Sequence, residues 1–180
     1  MQVLQKAISV ITSTNIWIGK VVCWLIVGLF VIICIEIFMR YIFRMPTIWV
    51  HESAGFLLCY AVMLGGAYTL AYKGHVNVDI LYGRFSPRGR AILDLFTWLL
   101  FYAFVGILIW KGLHLGLLSI ERLELSNTFW HPPIYPVKPI VFVGAVLIFF
   151  QGLTRTARDW VMVITGKELA ETIDIKDELK

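Results

Sequence analysis

The chain has 180 residues, of which 59% are hydrophobic and only 16% charged, and its mean hydropathy is +0.78. A water-soluble domain of this size has too little interior to hide that much apolar surface, so composition excludes a soluble enzyme or binding protein and places the chain in a bilayer. The formal net charge is +4. Its basic residues gather at the ends of apolar runs, which reads as membrane topology and not as contact with nucleic acid.

Crossing the hydrocarbon takes about 20 apolar residues. Four segments qualify, at 16–39, 50–72, 88–118 and 137–163. The expected fold class is all-α integral membrane: four transmembrane helices in one membrane domain, 1–180, with a polar tail at 167–180. The first run begins near Ile16 and ends in EIFMRYIFR without a small-residue cleavage site, so it reads as a retained helix and not as a signal peptide. Lys20 near its start can snorkel to the interface. Glu36 precedes Arg40 at the spacing of an i,i+4 ion pair.

The second run carries no charge from Ser53 to Tyr72 and is the clearest. Its small residues, Ala61 with Gly65 and Ala67 with Ala71, and Gly66 between them, mark close helix approach, either within the bundle or against a partner. Next, YKGHVNVDILYGRF alternates polar His75, Asn77 and Asp79 with Val76, Val78 and Ile80. It reads as a shaped connection, either extended or an interfacial helix start capped by Asn77 or Asp79, with Asp79 able to answer Arg84 or Arg88. SPRGR opens the third helix, with Ser86 as N-cap and Pro87 in the first turn. Gly112 and Gly116 repeat the small-residue spacing near its far end. The fourth helix follows the proline cluster HPPIYPVKP; its strictly apolar part, 140–153, is short and needs residues from either side.

Lysines and arginines divide unequally between the flanks. Lys6, Lys20, Lys73, Arg84, Arg88, Arg90, Arg155, Arg158 and Lys167 fall on one side, and Arg40, Arg44, Lys111, Arg122 and Lys138 on the other. The richer side is expected to be cytoplasmic, which puts both termini in the cytoplasm and Trp49, Trp110, Trp130 and Tyr135 in an outer aromatic belt.

An ionisable residue in a span is a functional hypothesis by default. Glu36, His51 and Glu52 fall at the outer membrane edge and Asp94, four residues from Arg90, at the inner one. The plain reading of Glu36 and Asp94 is a local ion pair with Arg40 and Arg90. A lone ion carrier wants a carboxylate at the midplane, and the halves show no inverted repeat, so an autonomous exporter is disfavoured. Cys23, Cys34 and Cys59 have no metal-site spacing and read as small buried hydrophobes. His51, His114 and His131 lie toward the outer side and His75 toward the inner. Two level histidines on neighbouring helices could ligate haem, which makes a haem-binding membrane anchor subunit of a respiratory dehydrogenase the alternative reading. The sequence holds no catalytic, metal or phosphate-binding constellation; no enzyme activity and no cofactor are expected.

The stretch RYIFRMPTIWVHESAGFLLCYAVMLGGAYTLAYKGHVNVDIL, residues 40–81, resembles the small membrane subunit, DctQ-like, of tripartite ATP-independent periplasmic (TRAP) transporters. The matching positions are Arg40, Tyr41 and Pro46, then Trp49 and Glu52 of a W-x-x-E element, Gly66 and Ala67, and His75, Val76, Val78 and Asp79 of H-[IV]-x-V-D. The region PPIYPVKPIVFVGAVLIFFQGL is also similar, and the resemblance covers about residues 15–165. The chain departs from the family in carrying His51 where a second acidic residue is common.

The resemblance implies a multi-pass protein of the bacterial inner membrane. A soluble periplasmic binding protein would capture a small organic acid, and a large multi-span permease subunit would move it by an elevator motion driven by an ion gradient. The small subunit would brace the permease and help to dock the binding protein. Its expected partners are those two proteins and membrane lipid. The residues expected at partner interfaces are Arg40, Trp49, Glu52, Gly65, Gly66, His75, Asp79, Trp130 and His131, with the outer loop ERLELSNTFWHPPIYP as the face for the periplasmic partner.

Overall fold

The computed structural model describes residues 2–72 and 87–165, with side chains for 5–72 and 97–164. The described residues form helices α1 (Gln2–Tyr41), α2 (Val50–Ala71), α3 (Pro87–Glu121) and α4 (Pro139–Thr165). All four are long and apolar enough to cross a membrane, and the only strand-like feature among the described residues is an isolated bridge between Leu125 and Pro133. The all-α class with four spans therefore stands.

α1 starts well before the apolar run at Ile16. Residues 2–15 contain no glycine or proline, and Ile8, Thr12 and Asn15 continue at helical spacing the buried stripe formed by Ile16 and Val22. Its 40 residues measure about 60 Å, twice the hydrocarbon thickness. α2 packs against α1 and α4, and α4 against α3. Where α1 reaches α4 the contact is polar: Asn15 Nδ2 donates to Gln151 Oε1 at 2.8 Å, and Gln151 Nε2 reaches Thr12 Oγ1 at 3.5 Å. All of these side chains are buried. Such bonds between membrane helices contribute about 1 kcal/mol each and fix which faces meet.

Close backbone approach sets the heights of the helices. A Cβ on Gly144 would sit 2.5 Å from the Met63 carbonyl oxygen of α2, and one on Gly112 would sit 3.0 Å from the Phe142 nitrogen. Gly116 lies against Pro139, the first residue of α4, where a Cβ would come within 3.1 Å of its Cα. Met63 and Gly144 are thus level. From there α2 climbs about 20 Å to Val50, whereas α4 climbs only about 8 Å to Pro139. α4 stops about two turns short of the end of α2, and residues 122–138 fill the step.

That segment is folded tightly. α3 ends with Leu123 in the left-handed region at φ 46°, its N–H on the Ile120 carbonyl at 3.1 Å and the Glu124 N–H on the Ser119 carbonyl at 3.1 Å. This is a Schellman ending built on leucine instead of glycine. The Glu124 carbonyl then accepts the N–H groups of Ile134 at 2.9 Å and Tyr135 at 3.3 Å, and Lys138 Nζ meets Glu124 Oε2 at 2.5 Å.

Two outcomes are expected. Gly144→Leu forces α2 and α4 apart, costing about 1–3 kcal/mol or more by overpacking, while Gly106→Ala, where an added Cβ meets nothing within 4 Å, leaves the melting temperature in detergent unchanged. Lys138 holds the Glu124 carboxyl below the ordinary carboxylate range. A lowered value means that the contact stabilises the fold above the ordinary pKa of about 4.3 and is lost as pH falls through the lowered one. Thermal melts of wild type and Glu124→Gln should therefore differ at neutral pH and converge in acid. Coincident melts at neutral pH would refute the clamp.

Candidate functional site

The end of the bundle that carries the α1–α2 and α3–α4 loops gathers most of the residues singled out from the sequence. α2 begins there with Trp49 in the N-cap position, where its side chain makes no capping bond. Glu52 lies in the first turn, where a carboxylate complements the positive end of the helix dipole. It also reaches across the bundle. Ser126 Oγ donates to Glu52 Oε1 at 2.6 Å, while Glu52 Oε2 is buried without a hydrogen-bond partner.

Ser126 is the node of the α3–α4 loop. Its hydroxyl proton is committed to Glu52, so Thr128 Oγ1, 3.2 Å away, donates to Ser126 Oγ. The Ser126 N–H donates to the Pro132 carbonyl at 2.8 Å. The Ser126 carbonyl lies 2.9 Å from His131 Nδ1; a carbonyl can only accept, so that nitrogen carries the proton. His131 itself sits at φ 48°, with its N–H on the Thr128 carbonyl at 3.1 Å. The turn leaves Phe129 almost wholly exposed, at 98%, with Trp130 and His131 also at the surface.

A second glutamate organises the other loop. Glu36 Oε1 accepts from Arg40 Nη2 at 2.6 Å and Nε at 3.1 Å, the pair expected from spacing. Its Oε2 accepts the Thr47 N–H at 3.0 Å and also the Thr47 hydroxyl. Arg44, at φ 55°, turns the chain between them. Glu36 is therefore a loop anchor as well as half of an ion pair. The one hydroxyl in the apolar run IFRMPTIW was the available signal.

The other expected residues divide. Gly65 and Gly66 lie inside the bundle: a Cβ on Gly65 would meet Val22 of α1 at 3.8 Å, and one on Gly66 would meet Ile148 of α4 at 2.8 Å. His75 and Asp79, with the cap at Ser86 and the Arg90–Asp94 pair, lie outside the residues whose side chains are described. His51 and His114 are exposed, and no group of three or more His, Cys, Asp or Glu that could hold a metal ion occurs among the described residues. The reading of the cysteines as buried is corrected. Cys23 is exposed and Cys34 and Cys59 are half-buried, because a bilayer lets an apolar side chain face outward. Ser126, Thr47 and the Asn15–Gln151 pair escaped the sequence reading.

Glu36 and Glu52 are thus occupied in holding loops, and what they hold outward is an aromatic, largely apolar surface. No curated protein matched the chain. The family model described as "Tripartite ATP-independent periplasmic transporters, DctQ component" matches residues 29–162, from the middle of α1 to near the end of α4. That match spans far more than half of the chain. The chain therefore belongs to the DctQ family, the small inner-membrane subunits of tripartite transporters that work with a large membrane subunit and a periplasmic binding protein.

Proposed function

We propose that this subunit braces the large permease subunit and presents its loop end, on the periplasmic side, as part of the docking surface for the binding protein. The Glu52–Ser126 hydrogen bond carries the reading, because it joins the first turn of α2 to the loop that exposes Phe129 and Trp130. A rigid loop presenting aromatic side chains loses little conformational entropy on binding, which suits it to docking. The lysine and arginine asymmetry supports placing both termini in the cytoplasm and this end outside. Bracing fits the outward apolar faces of the helices, including Trp24 at 74% and Phe30 at 68% exposure on α1. Within this reading Arg40, Trp49, Trp130 and His131 border the docking end, His75 and Asp79 belong to the cytoplasmic connection, and the transported species is a small organic acid moved with an ion gradient.

The placement of Glu52 gives a direct comparison. Glu52→Gln keeps an oxygen for Ser126 but loses the charge–dipole contact, and Glu52→Ala removes the anchor. Uptake and binding-protein docking, measured in cells and on proteoliposomes, should fall several-fold for Glu52→Ala and less for Glu52→Gln. His51→Asn, at an exposed position, should have little effect. A tagged chain that never retains the large subunit in mild detergent would sink the bracing role. Docking left intact by Glu52→Ala and by Phe129→Ala would sink the docking role.

A further inference from the structure

Between the first turns of α2 and the α3–α4 loop lies a groove of about 440 Å³, walled by Phe56, Tyr60, Trp130, Pro133, Pro136 and Val137. Three properties decide what fits it.

The first is depth. Phe56 and Tyr60 lie about 9 and 15 Å below Val50 along a helix of 22 residues, or about 33 Å, which roughly matches the hydrocarbon thickness. The lower wall is therefore at acyl-chain depth. Trp130 and His131 sit on the loop wall, and rings with a polar edge favour headgroup depth.

The second is dryness. Pro133 and Pro136 have no N–H to offer. The Tyr60 hydroxyl is engaged with the Pro136 carbonyl at 3.3 Å, and His131 Nδ1 with the Ser126 carbonyl. Water entering the groove would find too few partners, whereas an apolar chain meets aromatic and proline faces.

The third is access. α2, which forms one wall of the groove, is long and apolar enough to span the membrane, and Trp130 and Pro133 on the facing wall are exposed, so the groove opens toward bilayer lipid. The loop that fills the step above the short α4 leaves a recess against α2, at a depth where an ordinary helix bundle would be closed by helix.

We propose that this groove seats one acyl chain of a phospholipid from the leaflet on the loop side, with the headgroup beside Trp130 and His131. The bound lipid fills the space under the loop and supports it from the membrane side. The site stands independently of the docking role, since it rests on depth and lining alone.

Photolabelling tests this with the full chain in phospholipid bilayers, alone and with its large subunit. The probe is phosphatidylethanolamine carrying a diazirine midway along one acyl chain, with labelled peptides identified by mass spectrometry. Val62, 58% exposed on α2, reports bulk lipid. Labelling of residues 56–60 and 130–137 should exceed that at Val62 several-fold in both preparations. It should fall to the Val62 level in Val137→Phe, which fills the groove from its buried wall, and in Pro133→Trp, which fills it from the exposed wall without touching the core. Groove labelling no greater than that at Val62 would overturn the proposal. So would labelling that vanishes when the large subunit is present, which would make the recess a seat for protein.

Discussion

The hydrogen bond from Ser126 to Glu52 is the contact on which the loop end depends. The α3–α4 loop occupies the step above the short α4, beside the first two turns of α2. Irregular backbone at that depth is tolerated only when its polar groups are satisfied within the protein. Ser126 does this from one position, through its hydroxyl, N–H and carbonyl together. Glu52 is a suitable acceptor because it stands at a helix N-terminus, where the dipole offsets part of the cost of a charge near lipid. Glu36 solves the same problem for the α1–α2 loop through Thr47. Glu36, Glu52 and, with Lys138, Glu124 each tie down loop backbone at this edge.

The step has its own cause further down. Gly112, Gly116 and Gly144 let α4 press against α3 and α2 at backbone distance, and this contact fixes the height at which α4 begins. A larger residue at any of them would move Pro139 relative to Val50, and with it the loop, its hydrogen bonds and the groove beneath. Small residues in the membrane interior thus determine geometry at the membrane surface, by packing alone. The buried Asn15–Gln151 contact plays the complementary part for α1, selecting its rotation against α4 where apolar packing would leave it free to turn.

Most of the architecture was legible because bilayer thickness acts as a ruler. Four apolar runs of spanning length can hardly be anything but four helices, and i,i+4 spacing gave Glu36 and Arg40. The partners across the bundle were not legible. Glu52 and Ser126 are 74 residues apart, and no local pattern predicts which hydroxyl in ERLELSNTFW a carboxylate will find. The early start of α1 was hidden for another reason: hydropathy marks where a helix enters lipid, not where its hydrogen bonds begin. The small residues of α2 were recognised as contact points without their partners, since composition gives the size of a face and not its neighbour. Gly65 meets α1, and Gly66, the next residue, meets α4. Adjacent residues diverge because one helical step rotates by about 100°.

The same step separates His51 from Glu52. The two stand together in the sequence and share a membrane depth, yet the histidine is exposed and the glutamate turns inward to Ser126. A substitution at His51 therefore meets open space outside the bundle. The inward position cannot change so freely, because a loop hangs from it. At this doorway Glu52 accepts the Ser126 hydroxyl, and its charge complements the positive end of the α2 dipole.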